Sequence, residues 1–318
     1  AGILQNPASS GLSIQSAGPL AFAPGGTLLI GESATGSIIA VDTGDTGPVQ
    51  KLAAPVDDAV KKIAELLGCD AAGIVISDLT VNPESGKAYL GINQKSGKGA
   101  AIVSVSADGS LAKLDLAALP HLRVALPKPE TGGQLRSITG VAHAGDRLLA
   151  TGQSNEEFSS KIFSIPLPLT PESTGKIFSA ETYHVAHGRW ETKAPITSFT
   201  PYVDKGVPCV VGAFACTPIA KFPIANLATG AAVKGVSVVE LGSGNRPLDV
   251  FTYEKDGQRW FITHTQRFKD NLFGPSKYWG VRVNAKYLDA SEPSEINENA
   301  VRRDVKQKEG PEGIEIVD

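Results

Sequence analysis

The sequence contains no methionine and only three cysteines among its 318 residues. It also lacks any apolar run near the roughly 18 residues that a membrane-spanning helix needs, so we expect no membrane insertion. Neither sign of charge dominates, because 30 Lys and Arg stand against 33 Asp and Glu. This balance gives no electrostatic basis for nucleic acid as a partner.

Several catalytic motifs are absent as well. The chain has no Gly-x-Ser-x-Gly elbow, no phosphate-binding P-loop, no His-Glu-x-x-His zinc helix and no Cys-x-x-Cys-His haem attachment. Nucleophilic serine catalysis and c-type haem binding are therefore unsupported.

The missing methionine extends to the first position, where the small residue Ala1 stands. Signal peptidase leaves a small residue at a new N-terminus. A chain without methionine also lacks the most easily oxidised thioether, which suits an oxidising compartment. We therefore expect a periplasmic or secreted protein, although an artificially shortened chain would begin in the same way.

A repeating pattern of short apolar segments is the most informative feature that is present. The 34 glycines and 21 prolines fall mostly between such segments, which favours many turns over long helices. Groups of three segments recur five times, with 59, 61, 58 and 50 residues between the equivalent positions Leu20, Leu79, Gly140, Ser198 and Leu248. Periods of this size built from short strands are typical of propeller blades.

The period predicts an all-β fold, a single β-propeller domain over residues 1–318 with five complete blades. Residues 310–318 would begin a partial sixth blade or close the ring. Two β-sandwich domains are the rival organisation, with their boundary in the proline-containing stretch 117–133. We interpret that stretch instead as a long connection between the second and third blades.

One helix is predicted near 56–67, inserted between blades. Asp57 and Asp58 would lie in its first turn, and Gly68 would follow its end. Four apolar side chains would share one face of it: Val56, Val60, Ile63 and Leu67.

The run Ala-Phe-Ala-Pro-Gly-Gly-Thr-Leu-Leu-Ile-Gly-Glu-Ser at 21–33 resembles the blade motif of six-bladed propellers of the NHL-repeat and gluconolactonase-like kind. The resemblance covers residues 16–106 and 245–265. Gly25 replaces the usual turn aspartate, and Ser33 stands where an aspartate is common. The resemblance implies a fold more than an activity, because that fold carries hydrolases, binding modules and scaffolds.

Blade geometry places certain loops on one face of a propeller. The connection between two blades and the connection between the second and third strands of a blade emerge on the same side, around the channel. The first predicted cluster there is His184, His187, Arg189 and Glu191, which suits a metal ion or an anionic ligand. The alternative is a pair of loop histidines hydrogen-bonded to the backbone.

Two further clusters suggest a cation. Asn155 and Glu156 follow a strand of the third blade and would suit a hard cation such as Ca²⁺, or form only a solvated acidic turn. Asn245 and Asp249 occupy positions that, by the resemblance, lactonase-type propellers use for a central divalent ion. Their odd numbering puts both on one side of a strand.

His264 and Arg267 would complete the same rim as ligand-binding residues. All of these side chains should then border one face of the propeller.

The cysteines give a geometric prediction. Cys209 and Cys216 lie seven residues apart on one predicted strand, a span of about 23 Å, whereas a disulfide joins Cα atoms about 6 Å apart. They should therefore not be bonded to each other. Cys216 and Cys69 would both lie on the functional face, which leaves a bridge between them open.

Three functions compete. The leading hypothesis is a protein that binds a small polar or anionic ligand, or a protein partner, on its channel face around a divalent cation, with calcium favoured. The alternative is a metal-dependent hydrolase of lactonase or esterase type. A copper site with Cys216 and histidines is the third, against which stands the lack of a methionine ligand.

Overall fold

Short β-strands joined by tight turns form most of the regular structure. The computed structural model describes residues 2–97, 99–216, 218–228, 232–242, 245–267, 277–289, 296–303 and 311–317. The chain divides into two units, each considered by itself. Unit 1 comprises Ala1–Lys128, Leu135–Ala150 and Phe163–Lys176, and unit 2 comprises Pro129–Gln134, Thr151–Ile162 and Ile177–Asp318.

Unit 1 contains two four-stranded antiparallel sheets. Their strands are β1 (Leu20–Ala23), β2 (Thr27–Glu32), β3 (Ser37–Asp42), β4 (Ile74–Val81), β5 (Ala88–Gln94), β6 (Ala100–Val105), β7 (Leu111–Lys113) and β8 (His121–Ala125). The sheet orders are β1-β2-β3-β8 and β4-β5-β6-β7. Strands β2 and β3 are almost entirely buried, which explains their near-continuous apolar sequence.

Strand β8 corrects one prediction. It lies in the stretch 117–133, which the sequence suggested was only a connection, and it pairs antiparallel with β3 from Ser37↔Ala125 to Val41↔His121. Leu122 and Val124 alternate into the core, so the chain returns to complete the first sheet after building the second.

The inserted helix is confirmed as α1 (Ala59–Leu67) and begins later than predicted. Asp58 precedes it in a left-handed conformation without a side-chain cap, whereas Gly68 ends it as expected. Ile63 is fully buried and Leu67 packs beside it against the second sheet. Val60, predicted on the same face, is 42% exposed.

The third group consists of β9 (Leu135–Ala144), β10 (Arg147–Ser154), β11 (Ser160–Pro166) and β12 (Lys176–His184). Strand β9 belongs to unit 1, where the Ile138 amide donates a hydrogen bond to the Ser33 hydroxyl (3.0 Å). Strands β10 and β11 each contribute residues to both units.

Unit 2 contains one four-stranded sheet, ordered β18-β19-β20-β22, and the strands β14-β15-β16-β17, which belong to a ten-stranded sheet that continues through β12. The elements are β13 (Arg189–Trp190), β14 (Ile196–Asp204), β15 (Val207–Phe214), β16 (Pro218–Pro223), β17 (Ala232–Glu240), β18 (Asn245–Lys255), β19 (Gln258–Arg267), β20 (Tyr278–Asn284), α2 (Ala285–Asp289), β21 (Val301–Arg302) and β22 (Ile314–Val317). A buried cluster around Val211, Val239 and Phe261 forms the core of this unit.

The C-terminal segment gives a second correction. Strand β22 pairs antiparallel with β20, from Gly280↔Val317 to Val283↔Ile314. It is therefore the outer strand of the fifth strand group rather than the start of a sixth blade. The predicted all-β class is confirmed, and the strands form five groups of four, of which the third and fourth are joined in one ten-stranded sheet.

One pairing of strands positions the site that is described below. Strands β12 and β17, the last strands of the third and fourth groups, run parallel with Ser179 opposite Ala232 and Thr182 opposite Gly235. The ends of both strands therefore lie side by side. Among the described helices, none has the length and apolar character needed to cross a membrane.

Asp45 joins the segment after β3 to the second sheet of unit 1. Its carboxylate accepts hydrogen bonds from Ser85 (2.6 Å), Asn82 (2.9 Å) and Tyr89 (2.9 Å). Partial burial alone would raise the pKa of this carboxyl group, but the three hydrogen bonds and Lys87 hold it below its ordinary value. The group therefore stabilises unit 1 while it is ionised.

Asp45→Ala is expected to lower the free energy of unfolding by about 1–3 kcal/mol at pH 7, because buried donors lose their acceptor. A carboxyl group whose pKa is lower in the folded state stabilises the protein at pH values above its unfolded-state pKa. That stabilisation is lost as the pH falls through the folded-state pKa. The difference from wild type should therefore shrink below about pH 4. Urea unfolding at pH 7 and pH 3 measures it, with Asp57→Ala as the control. An equal effect of the two substitutions at pH 7 would contradict this role.

Candidate metal centre

Four side chains of unit 2 converge after the end of β12. His184, His187, Glu191 and Cys216 each offer one ligand atom, and these atoms all lie within 4.8 Å of one another. Three of the four come from a single hairpin. Cys216 comes from the turn between β15 and β16.

The hairpin follows from local sequence. Along β12 the even-numbered residues from Phe178 onward are buried, so His184 continues the inward side of the strand. A 3-10 turn over Val185–His187 then reverses the chain, and Gly188 adopts φ 62°, which costs a glycine little. Strand β13 pairs back with Arg189 opposite His184. The imidazole rings of His184 and His187 are 3.9 Å apart, centroid to centroid.

His184 is a buried imidazole between two carboxylates. Its Nδ1 lies 3.4 Å from Glu191 Oε2, and its Nε2 lies 3.7 Å from Glu240 Oε1. Burial alone would lower the pKa of His184, but Cys216, Glu191 and Glu240 together raise it to about 9. The ring is therefore a cation at neutral pH when no metal is bound.

The Glu191 carboxylate is held in its ionised form. Burial would raise its pKa, but His184 and the backbone amides of Ala194 and Lys193 lower it to about 2. Those amides donate to Glu191 Oε1 at 3.0 and 3.2 Å. The backbone thus fixes one oxygen, while Oε2 faces His184.

His187 differs from His184. It is exposed, and partial desolvation together with the positive charges of His184 and Arg189 lowers its pKa below the ordinary value. At neutral pH it is therefore an uncharged imidazole with an available electron pair, the form that binds metal ions.

Glu240 is the acidic residue that the sequence did not single out. It ends β17, is 2% exposed, and accepts hydrogen bonds from the Ala186 amide at 3.2 and 3.3 Å. The parallel pairing of β12 with β17 brings it beside His184. The sequence feature that could have identified it is an acidic residue directly after the apolar pair Val238 and Val239.

Asn155 and Glu156, predicted to bind a cation, form protein contacts elsewhere in unit 2. Glu156 pairs with Lys161 Nζ (2.6 Å) and accepts a hydrogen bond from Thr131. Asn155 Oδ1 accepts the Gln134 amide (2.8 Å). Both side chains therefore contact neighbouring protein groups, and a cation at this position stays a prediction.

Asn245 and Arg267 lie opposite each other on β18 and β19. The Asn245 amide donates to Leu241 O (3.1 Å) and accepts from the Thr265 hydroxyl (3.3 Å). The Arg267 guanidinium lies 3.0 Å over the Trp279 ring and is buried. Both side chains therefore contact neighbouring protein groups.

Asp249 and His264 are also opposite each other, next to a β-bulge. Asp249 accepts the Val250 amide (2.8 Å) and lies 3.4 Å from the Ser198 hydroxyl. The residue as a whole is exposed, yet its carboxyl group is crowded by protein, and this desolvation raises its pKa. Asp249 stands four residues beyond Asn245, about 13 Å along an extended strand.

The predicted site residues therefore fall into groups. His184, His187 and Glu191 converge, and Arg189 lies exposed beside them on β13. The remaining predicted residues form the three pairs described above, and the face that they were expected to share with this cluster stays a prediction. The copper hypothesis paired Cys216 with histidines, whereas the leading hypothesis did not include it, and the structure places it beside His184 and His187.

All three cysteines are free. The prediction that Cys209 and Cys216 are not bonded is confirmed, because Cys209 lies inside β15 opposite Tyr202 and Cys216 follows that strand's end. The bridge from Cys69 to Cys216, which the sequence left open, is absent among these described cysteines.

No protein-family model and no curated protein matches the sequence. The resemblance to NHL-repeat and gluconolactonase-like propellers therefore stays a prediction at the family level.

Solved structures that resemble the chain include propeller folds. Bacteroides ovatus xyloglucan PUL GH43B is 11% identical with a TM-score of 0.37, covering 70% of this chain and 41% of that one. Cellvibrio cellulosa α-L-arabinanase is 10% identical with a TM-score of 0.34, covering 86% and 97%.

The PQQ-bound aldose sugar dehydrogenase from Streptomyces coelicolor is 14% identical with a TM-score of 0.28, covering 83% and 80%. The chain spans about two fifths of the Bacteroides protein's length. At these identities the likeness does not extend to an activity. With its strands in five groups of four, the chain is an all-β protein of the propeller class.

Proposed function

We propose that unit 2 binds a divalent transition-metal ion, zinc above others, through His184, His187, Glu191 and Cys216. The observation that carries this proposal is the convergence of four ligand atoms within 4.8 Å of one another. Two atoms bound tetrahedrally to one zinc ion lie about 3.3 Å apart, from bond lengths of about 2.0–2.1 Å. The 3.4 Å between His184 Nδ1 and Glu191 Oε2 supports that geometry.

The chemistry of the donors favours zinc over calcium. Two imidazole nitrogens, one sulfur and one carboxylate oxygen are ligands that zinc accepts, whereas calcium takes six to eight oxygens. The calcium expectation therefore does not apply to this cluster.

Four protein ligands make a closed site, and closed zinc sites are usually structural. A bound ion would join the β12–β13 hairpin to the β15–β16 turn and so fix this surface of unit 2. We therefore favour a metal-stabilised binding protein over the metal-dependent hydrolase, which needs an open coordination position.

Copper is the second candidate, since two histidines with one cysteine are also the ligands of electron-transfer copper sites. Glu191 would then stand where those sites have a weak axial ligand. Copper would give an intense thiolate-to-metal absorption in the visible region, which zinc does not.

Metal analysis of the full chain tests the proposal. Protein stripped with a chelator and dialysed against zinc should retain one ion per chain. Cobalt(II) in its place should give a tetrahedral spectrum with a thiolate charge-transfer band. Cys69→Ser is the matched control and should behave as wild type. Failure to retain any of zinc, cobalt or copper would overturn the proposal.

Glu240 should orient His184 for the metal. If Nδ1 binds the ion, Nε2–H faces Glu240, and such outer carboxylates fix the ligand's tautomer. Glu240→Gln, which keeps an acceptor for Ala186, is expected to weaken zinc affinity about 10- to 100-fold. Chelator competition measures the affinity, and long-range ¹H–¹⁵N correlation reports the His184 tautomer. Unchanged affinity and tautomer would assign Glu240 a purely structural role.

A further inference from the structure

We propose that Cys216 is the cysteine of this chain that peroxide oxidises, and that the resulting sulfenic acid releases the bound zinc ion. This role rests on the zinc site proposed above, because a cysteine binds zinc as its thiolate. It makes that site a regulated one, whose metal content responds to the oxidising strength of the surroundings.

The chain contains few sulfur atoms that an oxidant could reach. It has no methionine and three cysteines, so every oxidised sulfur must belong to a cysteine. Cys209 is 3% exposed, and burial raises the pKa of its thiol, which keeps it in the unreactive protonated form. Cys69 and Cys216 are both partly exposed. Oxidation therefore falls on one of these two.

The surroundings of Cys69 are those of a structural residue. It follows the end of α1 in unit 1, where its amide donates a hydrogen bond to Ala64 O (3.0 Å). Its side chain packs, like those of Leu67 and Ala71, against the apolar cluster around Ile63. A cysteine in such a place behaves as a small apolar side chain.

The surroundings of Cys216 are polar and suit a metal-bound thiolate. Its sulfur lies within 4.8 Å of ligand atoms of His184, His187 and Glu191, where a zinc ion would bind it as the thiolate. The thiolate is the nucleophilic form of cysteine. Cys216 is partly exposed and His187 beside it is exposed, so a small oxidant can reach the sulfur from solvent.

The reaction is a two-electron oxidation of the sulfur by hydrogen peroxide. The Cys216 thiolate attacks one peroxide oxygen, an S–OH bond forms as the O–O bond breaks, and the hydroxide that leaves is protonated by solvent. The sulfur is oxidised to sulfenic acid, and the peroxide is reduced to water. The product no longer offers an anionic sulfur, so zinc keeps only His184, His187 and Glu191 as ligands.

An external thiol restores the oxidised sulfur. Cys209, the other cysteine of unit 2, is buried inside β15 about 23 Å away along an extended strand, which is too far for a disulfide. An external thiol instead displaces the hydroxyl group as water and forms a mixed disulfide with Cys216. A second thiol then frees Cys216 and forms a disulfide with the first, and zinc can bind again.

Peroxide treatment of the zinc-loaded full chain tests this proposal. A chromophoric chelator too weak to strip the untreated protein reports free zinc, and dimedone traps sulfenic acid for peptide mass spectrometry. Zinc release should match the dimedone adduct at Cys216 in rate and amount, and Cys69 should react at least about tenfold more slowly. In a sample without dimedone, dithiothreitol should restore zinc binding.

Cys69→Ser is the matched control, because it removes the other partly exposed sulfur and leaves the four converging side chains in place. It should release zinc at the wild-type rate. A slower release from this variant would show that oxidation of Cys69 contributes, and would contradict the role of Cys216.

The role of Cys216 would also be overturned if excess peroxide left it unmodified, if zinc stayed bound to protein oxidised at Cys216, or if Cys69 were oxidised first. These results differ from a failure of the proposed zinc site, in which the untreated protein retains no zinc before peroxide is added. That last result would overturn the zinc site and this role together.

Discussion

Replacing Cys216 by serine is expected to weaken zinc binding by more than about 100-fold. The substitution removes the only sulfur among the four converging ligand atoms, and even outer partners of metal ligands are worth about 10- to 100-fold in affinity. His184→Ala should cause a loss of the same order, since it removes the buried ligand at the centre of the cluster. Competition with a chromophoric chelator measures both.

The control for this prediction is Cys69→Ser, a second partly exposed free cysteine outside the cluster. It should bind zinc as wild type does. The double variant His184→Ala/Cys216→Ser should lose little more than either single variant, because residues of one site act together. If Cys216→Ser bound zinc with wild-type affinity while the wild type retained one ion, the sulfur would not be a ligand.

Replacing Lys221 by methionine is expected to lower the free energy of unfolding of unit 2 by about 3–5 kcal/mol. Lys221 Nζ lies 2.5 Å from Asp204 Oδ2, and the two residues are 6% and 8% exposed. The other oxygen of Asp204 is buried and has no hydrogen-bond partner among the described residues. Without the lysine, the carboxylate would be a buried charge without compensation.

The double variant Lys221→Met/Asp204→Leu should recover most of that loss, because an apolar pair of similar volume often replaces a buried ion pair at little cost. Glu315→Gln, which breaks the more exposed pair with Arg282, should change stability by less than about 1 kcal/mol. Urea denaturation measures all three. A double variant less stable than Lys221→Met alone would contradict the electrostatic explanation.

The repeating strands could be predicted from sequence because their cause is local. Alternating or continuous apolar residues and the turns between them depend on neighbours within a few positions. The same holds for α1, whose C-terminal signal at Gly68 is seen in the structure. Its start was wrong by about three residues because Asp58 does not cap it.

The pairing of distant strands could not be predicted in the same way. The sequence between β7 and β9 contains prolines and no repeat, yet β8 returns to pair with β3. Ser37 lies opposite Ala125, 88 positions later in the chain. The free energy gained by burying Leu122 and Val124 is available only when the first sheet is already formed. The same is true of β22 and the fifth sheet.

By itself the sequence determined the all-β class, the five blade-type groups and the clustering of His184, His187 and Glu191, which lie within eight positions. Only the tertiary structure decided that Cys216 and Glu240 meet His184. The physical reason is that a ligand cluster needs side chains from several strands to meet. Whether these side chains come together depends on strand register and on the parallel pairing of β12 with β17. Both are set by the burial of whole sheets.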